Sequence, residues 1–400
     1  MKTTSVPFFR PDLEEQEIAE VVDTLRSGWL TTGPRTGRFE KAFAEAVGAR
    51  HAVAVNSCTA GMHLATVALG LSPGQAVLVP TMTFAATAEV VLYAGAVPIL
   101  VDCDPHTLSL DLGAVPEALA ALRRGDLPAD PDLPVVGLMP VHVAGLMLDS
   151  GRLGQLAEEH GWWQIEDAAH AFPSAWRPAD DAPWQRCGEA TAKITCFSFY
   201  ANKTLTTGEG GMAVTDDEAL AAEIRSLSLH GLSKDAWKRY AAAADRGSSS
   251  RKASWDYRIV APGYKYNLTD IAAALGLRQL ERAEAMRLSR LRIAQRFSEA
   301  FARLEEIELP PDPPNRVHSW HLYQIKLRPG RLQIDRNAFL EGLRERGVGF
   351  SVHWRPLHLH PLYERLGWRP EHAPVATEVW ERAVSLPIFP SMREDEIDAV

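Results

Sequence analysis

The stretch His51-Ala-Val-Ala-Val-Asn-Ser57-Cys-Thr59-Ala-Gly-Met-His-Leu-Ala-Thr-Val-Ala-Leu69 joins a short β-like run to a helical pattern through a polar turn. The same alternation of apolar runs and helical patterns continues along the chain, with β-like runs at 76–80, 97–101, 135–142 and 163–167 and helical patterns at 85–93 and 152–160. Strands that alternate with helices in this way predict an α/β fold, with a mostly parallel sheet flanked by helices on both faces.

Length and composition fit an ordinary globular protein. The chain has 400 residues, of which 46% are hydrophobic and 23% are charged, so we expect two domains and a large buried core. A long helical pattern begins near Asn267, and the segments after it mix predicted strands at 320–327 and 349–352 with a predicted helix at 336–346. We therefore predict a large domain at 1–265 and a smaller α+β C-terminal domain at 266–400.

The charge distribution and the apolar segments exclude several classes of partner. The net charge is -9 and the basic residues are dispersed, which argues against nucleic-acid binding. The one apolar window long enough for a membrane, 77–101, contains Pro80, Gly95 and Pro98, so a strand-helix-strand unit is expected there and no membrane span.

The cysteines and the N-terminal residues favour a cytoplasmic protein. The four cysteines are far apart and form no C-x-x-C pair, which argues against a disulfide framework and a zinc knuckle. Residues 1–7 lack the apolar core of a signal peptide. We therefore expect a reducing, cytoplasmic environment.

The segment Ser198-Phe-Tyr-Ala-Asn-Lys203-Thr-Leu-Thr-Thr-Gly208-Glu-Gly-Gly211 places a lysine between two further β-like runs, 194–200 and 212–215. Burial at a sheet edge lowers the pKa of a lysine, and the neutral amine is a nucleophile toward an aldehyde such as that of pyridoxal phosphate (PLP). A solvent-exposed lysine is the ordinary alternative, because lysine is rarely buried. The other motifs decide between the two.

Two of these motifs lie where predicted strands end. Ser57 and Thr59 precede the first turn of a helix, whose free amides and dipole attract an anion such as phosphate, although ordinary helix capping also explains them. Asp167, in Ile165-Glu-Asp-Ala-Ala-His170, offers a carboxylate that keeps the pyridine nitrogen of PLP protonated, and a strand-end cap is the alternative. Ligands bind at the carboxyl ends of parallel strands, so we expect these groups to meet there.

Three motifs together resemble the DegT family of sugar aminotransferases, within fold type I of the PLP-dependent enzymes. They are Asn56-Ser-Cys-Thr-Ala60, Glu166-Asp-Ala-Ala-His170, and Ser198-Phe-x3-Lys203 followed by Gly208-Glu-Gly-Gly211. Their order and spacing match the family from about Phe9 to Pro390. The resemblance implies a fold type I architecture, PLP as cofactor, L-glutamate as amino donor, and a homodimer with active sites at the subunit interface.

The resemblance also implies roles for individual residues. Lys203 is the catalytic residue that holds PLP, and Asp167 binds the pyridine nitrogen. The other cofactor contacts are Thr59 and Ser198 at the phosphate, Cys58 through its backbone, Phe84 against the ring, His170 near the phenolic oxygen, and Asn267 toward the phosphate of the other subunit. Tyr200 stands where the family often has histidine, which leaves the role of that position open.

Four segments resemble family members that aminate C4 of UDP-4-keto sugars, such as the enzyme forming UDP-4-amino-4-deoxy-L-arabinose. They are Trp29-Leu-Thr-Thr-Gly-Pro34, Thr59-Ala-Gly-Met-His63, His230-Gly-Leu232 and Ala261-Pro-Gly-Tyr-Lys-Tyr-Asn-Leu-Thr-Asp-Ile271. Trp29, Thr31 and Thr32 are then candidate contacts to sugar hydroxyls. The alternatives are a dTDP-3-keto sugar aminotransferase, a PLP-dependent sugar dehydratase, and a PLP-binding regulator without turnover. The dehydratases of this family carry histidine in place of the lysine, so Lys203 argues against that alternative.

Two further features are a group of three histidines and a polar stretch after Ser233. His353, His358 and His360 form an H-x4-H-x-H pattern without zinc-site spacing or an accompanying acid or thiol, so substrate contact or packing is expected for them. The polar, alanine-rich stretch from Ser233 to Ser254 is predicted to be a long mobile loop.

Overall fold

The structure is a computed structural model that describes residues 5–233 and 258–400. Its helices are α1 (Glu15–Ser27), α2 (Pro34–Val47), α3 (Cys58–Ala68), α4 (Ala86–Tyr93), α5 (Val115–Arg124), α6 (Ser150–His160), α7 (Glu218–Leu227), α8 (Asp270–Phe301), α9 (Arg336–Glu345), α10 (Pro361–Arg365), α11 (Pro374–Trp380) and α12 (Glu394–Ala399). Its strands are β1 (His51–Val55), β2 (Ala76–Pro80), β3 (Val97–Val101), β4 (Val135–Leu138), β5 (Trp163–Asp167), β6 (Ala175–Trp176), β7 (Gln185–Arg186), β8 (Ile194–Ser198), β9 (Gly211–Thr215), β10 (Ile307–Glu308), β11 (Arg316–Val317), β12 (Tyr323–Leu327) and β13 (Ala383–Leu386).

A seven-stranded sheet in the order β1-β9-β8-β5-β4-β2-β3 forms the centre of the molecule. The neighbouring strands from β8 to β3 are parallel, and β9 alone runs antiparallel to its two neighbours, β1 and β8. Every residue of β2 and β9 is buried, as expected for strands covered on both faces. The predicted α/β fold with a mostly parallel sheet is confirmed.

Helix α3 leads from strand β1 into the body of the protein. The Ser57 hydroxyl caps its N-terminus by accepting from the Ala60 amide at 3.0 Å. Nearly every side chain of α3 is buried, because the helix packs against β8 and β9 on one side and against α4 and α7 on the other. Its N-terminus is therefore held against the carboxyl ends of the central strands.

An aromatic cluster fixes the strand that leads to Lys203. Phe197 and Phe199 alternate along the β8 segment, so both project to one face, and Phe43 of α2 lies 5.1 and 5.2 Å from their ring centroids. Phe43, Phe197 and Phe199 are 0% exposed, and burial of one such ring contributes about 1.5–3 kcal/mol. The turn after β8 therefore starts from a rigid support.

The C-terminal part packs around a second, smaller sheet. Helix α8 is 32 residues long and begins at the N-cap Thr269, whose side chain accepts from the Ala272 amide. Strands β10, β12 and β13 form an antiparallel sheet, and Val6 from the N-terminus joins their core. The domain division at residue 265 stays a prediction.

Some predicted segments differ from the structure. The predicted strand 135–142 ends at Leu138, two residues before Pro140, which has no N–H for a sheet hydrogen bond. The strand expected from Trp320 begins at Tyr323, because Trp320 takes a left-handed φ of 52° that interrupts the extended backbone. The expected strand at 349–352 is a single bridge between Ser351 and Ser385.

Two predictions concern the apolar window and the polar loop. The window 77–101 forms β2, α4 and β3, as the glycine and prolines indicated. Among the described helices, none is long and apolar enough to cross a membrane. The loop predicted from Ser233 to Ser254 lies, apart from Ser233, outside the described residues.

Candidate active site

A cavity of about 490 Å³ opens where the carboxyl ends of β5 and β8 meet the N-terminus of α3. It is lined by all the predicted catalytic and cofactor residues except Asn267, namely Cys58, Thr59, Phe84, Asp167, His170, Ser198 and Lys203. A wider depression of about 630 Å³ between α2 and α7 contains none of these residues. Residues more than 140 positions apart in the chain thus converge on one cavity.

Lys203 lies in the turn that follows β8, where its amide donates to the Tyr200 carbonyl at 2.9 Å. Burial lowers the pKa of the Lys203 amine from 10.5 to about 8, although the nearby Asp167 carboxylate acts in the opposite direction. An amine with this pKa is neutral in an appreciable fraction of molecules near neutral pH. It therefore has the nucleophilic form that attack on an aldehyde requires.

Asp167 and Glu166 end strand β5 and point to opposite faces of the sheet, as neighbours on a strand do. The Asp167 carboxylate accepts from the Thr87 hydroxyl at 2.8 Å and from the Ala169 amide at 3.1 Å. Burial raises the pKa of Asp167, and these two bonds oppose the rise. A positive partner in the cavity would be stabilised by this carboxylate.

Glu166 has a different environment and lies outside the cavity. Its carboxylate accepts from the hydroxyls of Thr191 and Thr195 at 2.7 and 3.0 Å and lies 3.5 Å from His142 Nε2. Burial acts to raise the pKa of Glu166, but these partners lower it below its ordinary value. These partners belong to the protein interior, so Glu166 stabilises the fold, whereas Asp167 lines the cavity.

The N-terminus of α3 forms an anion seat. The Ser57 hydroxyl caps the Ala60 amide, which leaves the first amides of the helix, at Cys58 and Thr59, without a partner in the described part of the chain. Gly211 permits close approach of β9, because a Cβ there would lie 2.4 Å from the Ser57 carbonyl carbon. Ser198 and Thr59 add hydroxyls to the same wall of the cavity.

The Cys58 side chain points toward the sheet, and its thiol is not placed to act as a nucleophile. Its sulfur lies 3.4 Å from the Cys196 carbonyl and 3.9 Å from Asp167 Oδ1. Burial raises the pKa of the Cys58 thiol well above its usual range. This placement agrees with a contribution through the backbone amide.

The cavity mouth is aromatic. Phe84 is 62% exposed and Tyr200 is 48% exposed, and both line the cavity together with the exposed Glu209. Large apolar side chains exposed beside a cavity indicate a surface that another group covers. Phe84 is available to stack on a planar ligand, as the resemblance implies.

His170 occupies the opposite wall beside residues from the C-terminal part. The Ala144 amide donates to His170 Nδ1 at 3.2 Å, and Trp354 stacks on the ring with centroids 5.1 Å apart. Burial lowers the pKa of His170 well below its ordinary value, and the Lys203 charge adds to this effect. The ring is therefore neutral, with its proton on Nε2.

Asn267 and the loop Trp29–Pro34 lie together outside the cavity of their own chain. The Asn267 amide nitrogen donates to Thr32 Oγ1 at 2.7 Å, and the Thr32 hydroxyl donates to the Leu268 carbonyl. Trp29 Nε1 donates to the Thr32 carbonyl at 3.1 Å, whereas Thr31 is exposed. Thr32 is thus occupied by internal bonds, and Thr31 is the freest of the three predicted sugar contacts.

The three histidines of the H-x4-H-x-H pattern lie in different surroundings. His353 lines the cavity and bonds the Ser385 hydroxyl through Nδ1 at 2.9 Å. His358 is buried and uses both ring nitrogens on hydroxyls, at 2.7 and 2.8 Å. His360 contacts the Arg355 carbonyl at 3.2 Å. Substrate contact therefore stays open for His353, and packing accounts for His358.

The structure adds site residues that the sequence analysis did not find. Thr87 bonds Asp167, Asn202 leaves its Oδ1 unpartnered within the described ranges, and His321 and Trp354 come from the C-terminal part. A hydroxyl in the first turn of the helix that follows β2 was the available signal for Thr87. No local pattern marks His321 or Trp354, because the tertiary fold alone brings them to the cavity.

The residues present fit a cofactor with an aldehyde, a phosphate and a basic ring nitrogen. Lys203 supplies the amine, Asp167 the buried carboxylate, and the N-terminus of α3 with Ser198 the anion seat. Each chemical group of PLP thus finds a matching group in a single cavity.

Comparisons with known proteins agree with this fit. The model of the DegT/DnrJ/EryC1/StrS aminotransferase family matches residues 11–400. The spore coat polysaccharide biosynthesis protein SpsC of Bacillus subtilis is 40% identical over 397 residues, covering 99% of this chain and 95% of that protein. The uncharacterized protein MJ1066 of Methanocaldococcus jannaschii is 39% identical over 398 residues, covering 99% of this chain and 96% of that protein.

A solved structure extends the similarity to the fold. The PLP form of the putative sugar aminotransferase Spr1654 from Streptococcus pneumoniae superposes with a TM-score of 0.83 at 31% identity. The alignment covers 99% of this chain and 96% of that chain.

Proposed function

Because the chain belongs to the DegT/DnrJ/EryC1/StrS aminotransferase family, we propose that it moves the amino group of L-glutamate to C4 of a UDP-4-keto sugar. The general activity, without the choice of sugar or carbon, is that of a PLP-dependent sugar aminotransferase. The observation that carries the proposal is the convergence of Lys203, Asp167 and the α3 anion seat on one cavity.

PLP, when bound, supplies an electron sink that stabilises the negative charge left when a proton leaves the substrate carbon. The Asp167 carboxylate keeps the ring nitrogen protonated, and the Thr87 hydroxyl holds that carboxylate in place. The free amides of α3 with Ser198 and Thr59 hold the phosphate. Phe84 would stack on the ring, and His170 Nε2–H would donate to its phenolic oxygen.

Lys203 has two tasks in this proposal. Its neutral amine would hold the cofactor by condensing with the aldehyde, with loss of water, and Nζ, once free again, would move the proton that leaves the substrate carbon. A pKa of about 8 suits both tasks, because the amine gains and loses a proton close to neutral pH.

The C4 position and the uridine nucleotide rest on the resemblance of the segments 29–34, 59–63, 230–232 and 261–271. Thr31, with Trp29 beside it, offers polar contacts to sugar hydroxyls, whereas Thr32 contributes by holding Asn267. The cavity itself carries Asp167 and Glu209 and a single cationic side chain, Lys203, among its described lining residues. Donors for the nucleotide diphosphate therefore have to come from outside this set.

A homodimer is part of the proposal. Phe84 and Tyr200 at the cavity mouth are exposed in one chain, and Asn267 with Lys265 forms a polar pair 2.6 Å apart on the surface. In the proposed dimer, this pair reaches the phosphate in the other subunit's cavity. Mixing inactive Lys203→Ala chains with inactive Asn267→Ala chains should restore activity, since one site of the hybrid is intact. Lack of recovery after verified subunit exchange contradicts shared sites.

A cytoplasmic location completes the proposal. The four cysteines are free and buried, which suits a reducing compartment.

Three keto sugars test the proposed acceptor. The enzyme is first converted with L-glutamate to the amine form of its cofactor, and then receives UDP-4-keto-pentose, UDP-4-keto-6-deoxyhexose or a dTDP-3-keto sugar. Return of the visible absorbance of the aldehyde form reports amine transfer, and we expect it with the UDP-4-keto sugars. Return with the 3-keto sugar alone overturns the C4 assignment and leaves the family intact.

A further inference from the structure

The imidazole ring of His321 is held at the cavity wall, but its hydrogen-bonding capacity is not satisfied within the described part of the chain. The residue is 4% exposed, lines the cavity, and has an Nδ1 without a hydrogen-bond partner in the described ranges. The amides of His321 and Leu322 both donate to the Ala144 carbonyl, at 3.0 and 3.3 Å. The preceding Trp320 takes a φ of 52°, so the backbone departs from the strand to direct this ring inward. Its Nε2 also has no hydrogen-bond partner within the described ranges but is not enclosed, so Nε2 is the nitrogen that is open to a ligand in the cavity.

The surroundings of the two nitrogens determine which of them carries the proton. A buried N–H without a partner is rarer and costlier than a buried acceptor without one. The fully enclosed Nδ1 of His321 is therefore the bare nitrogen, and Nε2 carries the proton. His170, whose ring centroid lies 4.2 Å away, has the same tautomer because the Ala144 amide donates to its Nδ1. The two rings together present two N–H donors.

The charge balance of the cavity shows why neutral donors are useful. Burial lowers the pKa of His170 and of His321 well below the ordinary value, so both rings stay neutral at physiological pH. No arginine belongs to the cavity lining in the described residues, and Lys203 is committed to the cofactor. A dicarboxylate donor and a hydroxyl-rich sugar must occupy the same space in turn. A guanidinium would favour the dicarboxylate strongly, whereas a neutral N–H donates to either kind of oxygen.

We propose that His321 is a substrate-binding residue whose Nε2–H donates to a carboxylate oxygen of the amino donor and, in the second half-reaction, to an oxygen of the sugar. This inference rests on the proposed function and adds a residue to it. With His170 assigned to the phenolic oxygen of the cofactor, the adjacent His321 would lie beside the neighbouring carbon that carries the aldehyde. Its Nε2–H would then be available to substrate atoms next to the reacting carbon.

Nitrogen NMR on the PLP-loaded enzyme tests the tautomer and the contact directly. In protein labelled with ¹⁵N-histidine, with His321→Gln used to assign the resonance, Nδ1 of His321 should show the shift of a bare nitrogen and Nε2 that of a protonated one. Addition of glutarate, a dicarboxylate that has no amine to react, should shift the Nε2 resonance. A protonated Nδ1, or an unchanged Nε2 at saturating glutarate, overturns the proposal.

Glutarate affinity of variants gives a second, independent readout. His321→Leu should weaken glutarate binding at least about tenfold, the loss expected for one hydrogen bond to a charged group. His321→Gln keeps an amide N–H near the Nε2 position and should stay within about threefold of the wild type. His358→Leu is the matched control, because His358 is a buried imidazole outside this cavity.

The two readouts separate this proposal from the proposed function. Wild-type affinity in a PLP-loaded His321→Leu enzyme overturns the role of His321, even if every keto sugar reacts. If His321→Leu does not fold, the NMR titration of the wild type alone decides. Failure of the keto sugars with intact glutarate binding contradicts only the acceptor assignment.

Discussion

Replacement of Lys203 by methionine is expected to stabilise the cofactor-free protein at pH 7 while abolishing covalent attachment of PLP. Methionine has nearly the length of lysine and carries no charge, so it fills the same space without the cost of a buried ammonium group. The Lys203 side chain is thus predicted to destabilise the folded protein when the cofactor is absent.

The magnitude follows from the pKa of Lys203. A pKa of about 8 instead of 10.5 corresponds, at about 1.4 kcal/mol per pH unit, to about 3 kcal/mol. Part of this gain is cancelled, because the Lys203 charge also lowers the raised pKa of the buried Asp167. The expected net gain in the free energy of unfolding at pH 7 is therefore about 1–3 kcal/mol.

The sign of the pH dependence follows from the direction of the shift. The folded protein holds the Lys203 pKa below its unfolded value, so the neutral amine contributes stability above pH 10.5 that is lost as the pH falls through about 8. Urea unfolding of the cofactor-free wild type and of Lys203→Met should thus differ most at pH 7. At pH 10 the difference should shrink to about 1 kcal/mol or less.

A matched control and a clear refutation accompany this experiment. Lys193 is an exposed lysine at the start of β8, and Lys193→Met should change the free energy of unfolding by no more than about 0.5 kcal/mol. Equal urea midpoints for wild type and Lys203→Met at pH 7, or the same gain at both pH values, refute the buried-amine argument.

Three further predictions concern single contacts. Thr87→Val removes the 2.8 Å bond to Asp167, worth about 1.5–3 kcal/mol to a charged carboxylate, and should speed PLP loss from the holoenzyme, whereas Thr87→Ser should retain it in a dilution assay. Phe43→Ala should lower the free energy of unfolding by about 3–5 kcal/mol in urea titrations, and a loss below about 1 kcal/mol would contradict the tight packing of this fully buried ring. Burial acts to raise the pKa of Glu308, but its bond to Lys326 brings the pKa to about 2. The Glu308 carboxylate should therefore contribute to the free energy of unfolding above pH 4.5, and this contribution should be lost as the pH falls toward 2. Glu308→Gln should flatten the dependence of the unfolding free energy on pH in this range.

Sequence patterns predicted the elements that are complete apolar runs between turns. The segments Ala76–Pro80 and Trp163–Asp167 match the structure residue for residue, because each is bounded by polar or turn-forming neighbours. The strand at Val135 was predicted too long, because its apolar character continues through Pro140, whose missing N–H interrupts the regular ladder, although Val141 still forms a single bridge with Asp167. Backbone hydrogen bonding, which hydrophobicity does not report, decided that boundary.

The residues of the site also divide into those that the sequence could predict and those that it could not. Asp167, Ser198 and Lys203 stand at strand ends within recognisable motifs, so the rule for parallel sheets placed them together. His321 and Trp354 reach the cavity only because the chain after α8 folds back over it. Their local sequence does not distinguish a ligand contact from a packing residue, and the long-range contact that makes the difference has no period or spacing to detect.

The antiparallel strand β9 has a consequence for synthesis of the chain. Strand β1 hydrogen-bonds along its length only to β9 in the described residues, and β9 begins more than 150 residues later at Gly211. At about 5–20 residues per second, a ribosome needs about 10–30 s to make the intervening chain. During that time β1 and the anion seat that follows it have no sheet partner. The sheet can be completed at this edge only after the Lys203 segment has emerged, so the cavity around Lys203 forms late in synthesis.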